Sequence, residues 1–259
     1  MKVVLFCGGL GMRLREYSDK VPKPMIPIGY RPILWHVMKY YAAWGHKDFI
    51  LCLGYRADAI KNYFVEYQEH LSNDFVLEQG SEMSLLSSDL HDWRITFVDT
   101  GHNANIGQRL MAVREHLDGC GTFLANYADN LTDYPLPELI DAVEKRDAMA
   151  GFLAVPPPHS YHIAEIDEDD QVAGIRDVRS ADVWINGGYF VLKEQIFDYI
   201  QDGEELVLEP FARLTEEKRL LAMRYRGFWQ NMDTFKDRTL LEEMHARGDA
   251  PWRSVGDQS

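Results

Sequence analysis

Positive charge is what this 259-residue sequence most lacks: 27 Lys and Arg stand against 41 Asp and Glu, for a formal net charge of −14. That deficit argues against a broad surface for nucleic acid or an anionic membrane, because those partners are themselves anionic. It still permits a small phosphorylated ligand, which a few local cations and backbone N–H groups can hold. Cysteine is scarce as well. Cys7, Cys52 and Cys120 lie far apart with no CxxC spacing, which reads as reduced thiols in a cytoplasmic protein rather than a disulfide frame. The nine histidines show no metal-ligand spacing, and His36, set among apolar residues, reads as structural. No apolar run approaches a membrane span. The first residues lack the basic region, apolar stretch and cleavage site of a secretory leader. Neither a fixed-period repeat nor a low-complexity tract is present.

Hydrophobic residues make up 46% of the chain, enough for a substantial core. KVVLFC (2–7), apolar and β-branched at its start, predicts a buried strand. A helix is expected from Pro32, with Ile33, Leu34, Val37, Met38 and Tyr41 on one face and Gly45 ending it. The alternation continues with a strand at 48–54, a helix at 57–70, a strand at 94–100 and a helix at 108–117. Then come a strand at 122–129, a helix at 136–146 and a strand at 149–156. Strands and helices alternating in this way predict an α/β fold, a Rossmann-like, mostly parallel sheet with helices on both faces. Ligands of such sheets bind beyond the carboxyl ends of the strands, which points to the loops after Cys7, Thr100 and Tyr127.

From about residue 156 the pattern changes. PPPHSYH is a stiff connection, and IAEIDEDDQVAGI reads as two short strands joined by an acidic turn. WINGGYFVL predicts a strand, KEQIFDYI and LEPFARLTEEKR helices, AMRYRGFW a strand, and 232–248 a final helix. The expected organisation is one domain over 1–259, with an alternating first half (1–155) and a smaller second half (156–259) that reads as a lid.

The most informative stretch is GGLGMRLREYSDKVPKPM (8–25). Gly8, Gly9 and Gly11 follow a predicted strand, where successive backbone N–H groups can form an anion-binding concavity and absent side chains allow a phosphate close. Arg13 adds a planar charged fork and Lys23 a point charge. A P-loop would need GK[ST], which is absent, and the dinucleotide fingerprint would need a glycine where Leu14 stands. The latter weighs against a nicotinamide-dependent oxidoreductase.

Taken together, GGLGMRL (8–14), PKPM (22–25), RPILWHVMKYY (31–41), FILCLGYRADAIKNYF (49–64), VDTG (98–101), INGGYFVL (185–192) and FWQNMDT (228–234) carry a resemblance over nearly the whole length. The chain resembles the sugar-phosphate nucleotidyltransferases, and within them the glucose-1-phosphate cytidylyltransferases. The resemblance implies transfer of a nucleoside monophosphate, CMP from CTP, to a sugar 1-phosphate or related phosphorylated acceptor, with release of pyrophosphate. A non-catalytic nucleotide-binding regulatory or assembly homologue is the alternative. The resemblance assigns the triphosphate to Gly8, Gly9, Gly11 and Arg13, and the α-phosphate to Lys23. Thr100, Gly101 and Arg109 match a region contributing to nucleotide binding. Asn186, Gly187 and Gly188 match a segment beside the sugar phosphate, and Trp229 is a candidate to stack on a ring.

Magnesium takes hard oxygen ligands, commonly one or two carboxylates plus substrate phosphates. The resemblance implies Mg²⁺ on Asp129 and Asp233, with Asp129 also counted as catalytic, and a homo-oligomer. Taken singly, Asp129 reads as a turn residue and Asp233 as a helix cap or first-turn acid. The match breaks on the acceptor side. The family's Glu-Lys-Pro segment is replaced by IRDVRSADVW, which leaves Arg176 or Arg179 to carry the charge. Phe-Gly-Ala-Leu gives way to YHIAEI, and Tyr-Gly-Asp-Gly to YADN.

Overall fold

The computed structural model of the chain describes residues 1–8, 21–158 and 161–253. In β1 (Lys2–Phe6), successive side chains alternate faces. Val3 and Leu5, with Cys7 beyond the strand end, enter one core, while Val4 and Phe6 enter the other. A two-residue hairpin pair, β2 (Pro27–Ile28) and β3 (Arg31–Pro32), leads into α1 (Ile33–Ala43). Pro32 is its N-cap, and Gly45, at φ 82°, closes its end. Next come β4 (Asp48–Leu53), α2 (Ala57–Val65), a hairpin of β5 (Phe75–Glu78) and β6 (Glu82–Leu85), and β7 (Arg94–Asp99). The middle of the chain supplies α3 (Ile106–Ala112), β8 (Thr122–Asn126), β9 (Asn130–Thr132), α4 (Leu136–Lys145) and β10 (Ala150–Val155). The remainder forms the hairpin β11 (His162–Ile166) and β12 (Val172–Asp177), then β13 (Ile185–Lys193), α5 (Glu209–Glu216), β14 (Leu220–Arg224), β15 (Trp229–Asn231) and α6 (Phe235–Ala246).

The central sheet has seven strands in the order β14-β10-β13-β8-β1-β4-β7. Only β13 runs against its neighbours; the other pairings are parallel. One face packs against α1, α2, α4 and α6 through side chains such as Tyr41, Ile60, Leu139 and Leu241. The other packs against α3 and α5 through Leu110, Phe211 and Leu214. The expected α/β architecture, mostly parallel and covered on both faces, is therefore the observed one. Because β13 is reversed, its amino end lies beside the carboxyl ends of β8 and β10. Asn186 pairs with Ala154, and Tyr189 with Asn126.

Several element boundaries differ from expectation. The helix expected over 57–70 stops at Val65, because Arg31 holds the chain beyond it. Arg31 donates to the Gln68 carbonyl at 2.8 Å and its guanidinium lies 4.0 Å from the centre of the Tyr67 ring. The single strand expected over 222–229 is two strands. The Tyr225 hydroxyl donates to Asp133 at 2.5 Å, as does the Phe228 N–H at 3.0 Å. These bonds turn the chain away from β10, so that β15 can pair with β9. The 194–200 segment is a 3₁₀ turn (Glu194–Tyr199) rather than an α-helix. The helix expected over 108–117 starts two residues earlier, at a capping box of Asn105 and Gln108, and ends at Ala112. The acidic turn joining two short strands appears as expected, between β11 and β12.

Candidate active site

The carboxyl edge of the sheet gathers residues distant in sequence. Lys23 sits in a single 3₁₀ turn (Lys23–Met25), with Pro22 before it and Pro24 after it. Proline fixes its own φ and restricts the residue before it, so this lysine is presented from a stiff backbone. Its Nζ lies 2.6 Å from Asp129 Oδ2 and also donates to Asp233 Oδ1. Asp129 follows β8 and Asp233 follows β15. The β9–β15 pairing brings the two segments together, with the Met232 N–H donating to the Asp129 carbonyl at 2.9 Å. The two acids that looked separable in sequence thus bracket one ammonium.

Neither acid does the local structural job open to it. Thr234, not Asp233, caps α6, and Asp237 completes the capping box. Asp233 instead receives Asn231 Nδ2 at 2.7 Å on its second oxygen. The turn around Asp129 is capped by Asn126, whose Oδ1 accepts the Ala128 N–H at 2.7 Å. That bond holds Ala128 at φ 63°, a left-handed conformation in a residue with a Cβ. Asn130 Nδ2 reaches Asp129 Oδ1 at 3.4 Å. Asn126 and Asn130 are both buried. They build the floor of the site, and no motif of charged or glycine residues marked them.

The electrostatics follow from this crowding. Burial raises the Asp129 carboxyl above its usual range, Lys23 pulls it back, and the like charge of Asp233 adds to the rise. For Lys23, burial works to lower the pKa, but the two carboxylates outweigh it and the ammonium titrates above its ordinary value. Among the described residues, two carboxylates against one ammonium give the cluster more acid than base. Among the described residues no third acid, histidine or cysteine joins them into a larger metal-binding group. Two hard oxygen donors fit a divalent cation that takes its other ligands from substrate phosphates and water.

Arg109, on α3, is 2% exposed, and its guanidinium is spent on the backbone of the site. It donates to the Leu53 carbonyl at 3.1 Å, to Thr100 Oγ1 at 2.8 Å and to the His102 carbonyl at 3.3 Å. A Cβ on Gly8 would lie 2.0 Å from its Nη1, and one on Gly54 3.0 Å away. One arginine thus ties the end of β4 to the loop after β7 and packs against Gly8 beyond β1, where its side chain leaves no room for a Cβ. Thr100 passes its own hydroxyl proton to the Leu53 carbonyl at 2.8 Å. Gly101, at φ 92°, turns the chain there. Gly9, Gly11 and Arg13 lie outside the described residues.

At the amino end of β13, where the resemblance expects the acceptor, Asn186 donates to the Tyr127 hydroxyl at 3.0 Å and accepts the Gly188 N–H at 2.8 Å. Gly188 is at φ 76°, and a Cβ there would lie 2.5 Å from Asn130 Nδ2. Trp229 is fixed by its indole N–H, which donates to the Gly187 carbonyl at 2.8 Å. Arg179 lies just past β12, with its Nη2 2.5 Å from Asp177 Oδ2 and its Nε 3.0 Å from Oδ1. Arg176 pairs with Glu165 at 3.0 Å across the β11–β12 hairpin. Both arginines weighed as substitutes for the missing lysine are thus committed to carboxylates of that hairpin.

The nucleotidyl transferase family profile matches residues 2–246, and the chain belongs to that family. It is 37% identical over 256 residues to a glucose-1-phosphate cytidylyltransferase of Salmonella typhi, covering 98% of this chain and 99% of that one. It is 34% identical over 255 residues to the "Probable glucose-1-phosphate cytidylyltransferase" of Bacillus subtilis, again covering 98% and 99%. Among solved structures, HddC from Yersinia pseudotuberculosis superposes with a TM-score of 0.65 at 20% identity, covering 94% of this chain and 99% of that one. That likeness concerns the fold. No helix among the described residues is long and apolar enough to cross a membrane.

Proposed function

We propose that this protein transfers CMP from CTP to a sugar 1-phosphate, releasing pyrophosphate, with Mg²⁺ as its metal and as a homo-oligomer of the cytoplasm. The observation that carries the reading is Lys23 held between Asp129 and Asp233 at the carboxyl edge of the sheet. The cytidylyl assignment is supported by full-length similarity to the Salmonella typhi protein. In the reaction an acceptor phosphate oxygen attacks the α-phosphorus in line. The new P–O bond forms as the bond to the β-phosphate oxygen breaks, and the electron pair leaves with pyrophosphate. Such a step needs alignment and charge neutralisation more than covalent help.

The chain's own residues divide this work. Lys23 delivers positive charge from a rigid turn to the α-phosphate. Arg109 keeps Gly8, Gly54 and Thr100 in the shape that receives the nucleotide. Asn186, Gly187 and Gly188 offer the acceptor a strand end that Tyr127 and Trp229 hold in place. Asp129 and Asp233 would hold Mg²⁺, which when bound neutralises phosphate charge and orients the triphosphate.

Pyrophosphate release, measured with CTP, UTP, GTP, ATP and dTTP against sugar 1-phosphates, tests the reading. Release is expected with CTP, and is expected to vanish in Asp129→Asn and Lys23→Ala while both variants stay folded. Full activity in both variants would overturn the site assignment.

A further inference from the structure

The amino end of β13 carries one more arrangement, formed by Trp184 just ahead of the strand and by Arg224 and Arg226 at the end of β14 and just past it. The Arg226 guanidinium lies 4.7 Å from the centre of the Trp184 ring, and that of Arg224 5.4 Å from it. Both arginines are exposed. Among the described residues neither has a carboxylate within 4 Å, although acids outnumber bases 41 to 27 in this chain. The acid nearest in sequence to Trp184, Asp182, accepts the Trp184 indole N–H at 2.6 Å. Asp182 thus sits on the indole N–H and not on either guanidinium, so among the described residues two like charges gathered on one ring keep their forks open to an anion between or beside them. Guanidinium forks suit carboxylate or phosphate.

Register places this pair on the acceptor side. Arg224 pairs with Ala154, and Ala154 with Asn186. Residues in register on adjacent strands point to the same face, so Arg224 shares a face with Asn186. Asp129 follows β8, three strands across from β14. At ~4.8 Å per strand the two positions are separated laterally by about 14 Å. The reacting phosphate must meet the α-phosphorus beside Lys23, Asp129 and Asp233. The arginines therefore face the far end of the acceptor rather than its 1-phosphate.

From this geometry we infer that Arg224 and Arg226, stacked on Trp184, recognise a second anionic group, carboxylate or phosphate, at the end of the acceptor remote from its 1-phosphate. The inference rests on the transfer reading above and names the substrate class of that same site.

The test compares glucose 1-phosphate, glucuronic acid 1-phosphate and glucose 1,6-bisphosphate as acceptors with CTP and Mg²⁺, in the wild type and in the Arg224→Gln/Arg226→Gln double variant. Calorimetric titration of each acceptor is run alongside. The wild type is expected to prefer one of the two remotely charged acceptors by about tenfold in kcat/KM, the worth of one charge-assisted contact. The double variant should lose that preference through KM and leave glucose 1-phosphate turnover unchanged. Whichever acceptor is preferred tells carboxylate from phosphate. Equal use of glucose 1-phosphate by the wild type, or a preference that survives in the double variant, overturns the inference and leaves the transfer reading standing. Charge-dependent binding abolished by the double variant, with no turnover of any acceptor, upholds the inference and overturns the transfer reading. Neither turnover nor charge-dependent binding overturns both.

Discussion

Replacing Lys23 by methionine removes the ammonium that, among the described residues, bridges Asp129 and Asp233, and leaves their carboxylates to repel each other across that gap. Both oxygens lie within hydrogen-bond reach of the same tetrahedral nitrogen, so they are roughly 4 Å apart by ordinary bond geometry. At an effective dielectric of about 20, two unit charges at that separation repel by about 4 kcal/mol. The carboxylates are 22% and 29% exposed, and water screening reduces the figure to about 2 kcal/mol. For a domain of this size that is a fall in melting temperature of roughly 4–8 °C. Lys23→Met is expected to show this fall by calorimetry in metal-free buffer. Millimolar Mg²⁺ should then raise its midpoint more than that of the wild type, because the variant's carboxylates have lost the competing ammonium. A variant that melts within about 1 °C of the wild type, or that gains no more from Mg²⁺, would refute the electrostatic reasoning.

Three further outcomes are expected. Gly8→Ala should push the Arg109 guanidinium off its three oxygen partners, lowering stability by about 2–3 kcal/mol and weakening CTP binding in the same titration. Trp229→Phe removes the donor to the Gly187 carbonyl. It should cost about 1 kcal/mol in urea unfolding and raise the acceptor KM more than it lowers kcat. His36 is buried, donates from Nε2 to the Ile28 carbonyl, and has its pKa lowered by burial to about 4. The unfolded chain takes up that proton from about pH 6.5 and the folded one does not, so stability is full above pH 6.5 and falls as pH drops toward 4. The loss across that window is about 2–3 kcal/mol. His36→Gln should flatten part of the slope between pH 6.5 and 4, leaving the shares of His46, likewise lowered to about 4, and of His245, lowered by burial; an unchanged slope would exclude His36 as a source.

Local information in the sequence was enough for the alternation of strands and helices and the two-sided core. Strand periodicity, a capping residue or a proline acts within a few residues and leaves its mark there. Lys23 between two prolines was legible for the same reason. What the sequence alone could not decide was which distant residues meet. Asp129 and Asp233 looked like a turn acid and a helix cap when read locally; only the pairing of β9 with β15 puts both on the Lys23 ammonium. Arg109 carried no local sign that it would join the end of β4 to the loop after β7, nor Asn126 and Asn130 that they would lie buried beneath Asp129. Arg176 and Arg179 looked free in the sequence, but the β11–β12 hairpin supplies each with a carboxylate. Arg224 and Arg226 carry no local motif, yet the order of strands sets them on Trp184 beside the amino end of β13. Hydrogen bonds and ion pairs act over a few ångströms of space whatever the chain length between them, so which side chains face one another was settled by sheet order and register.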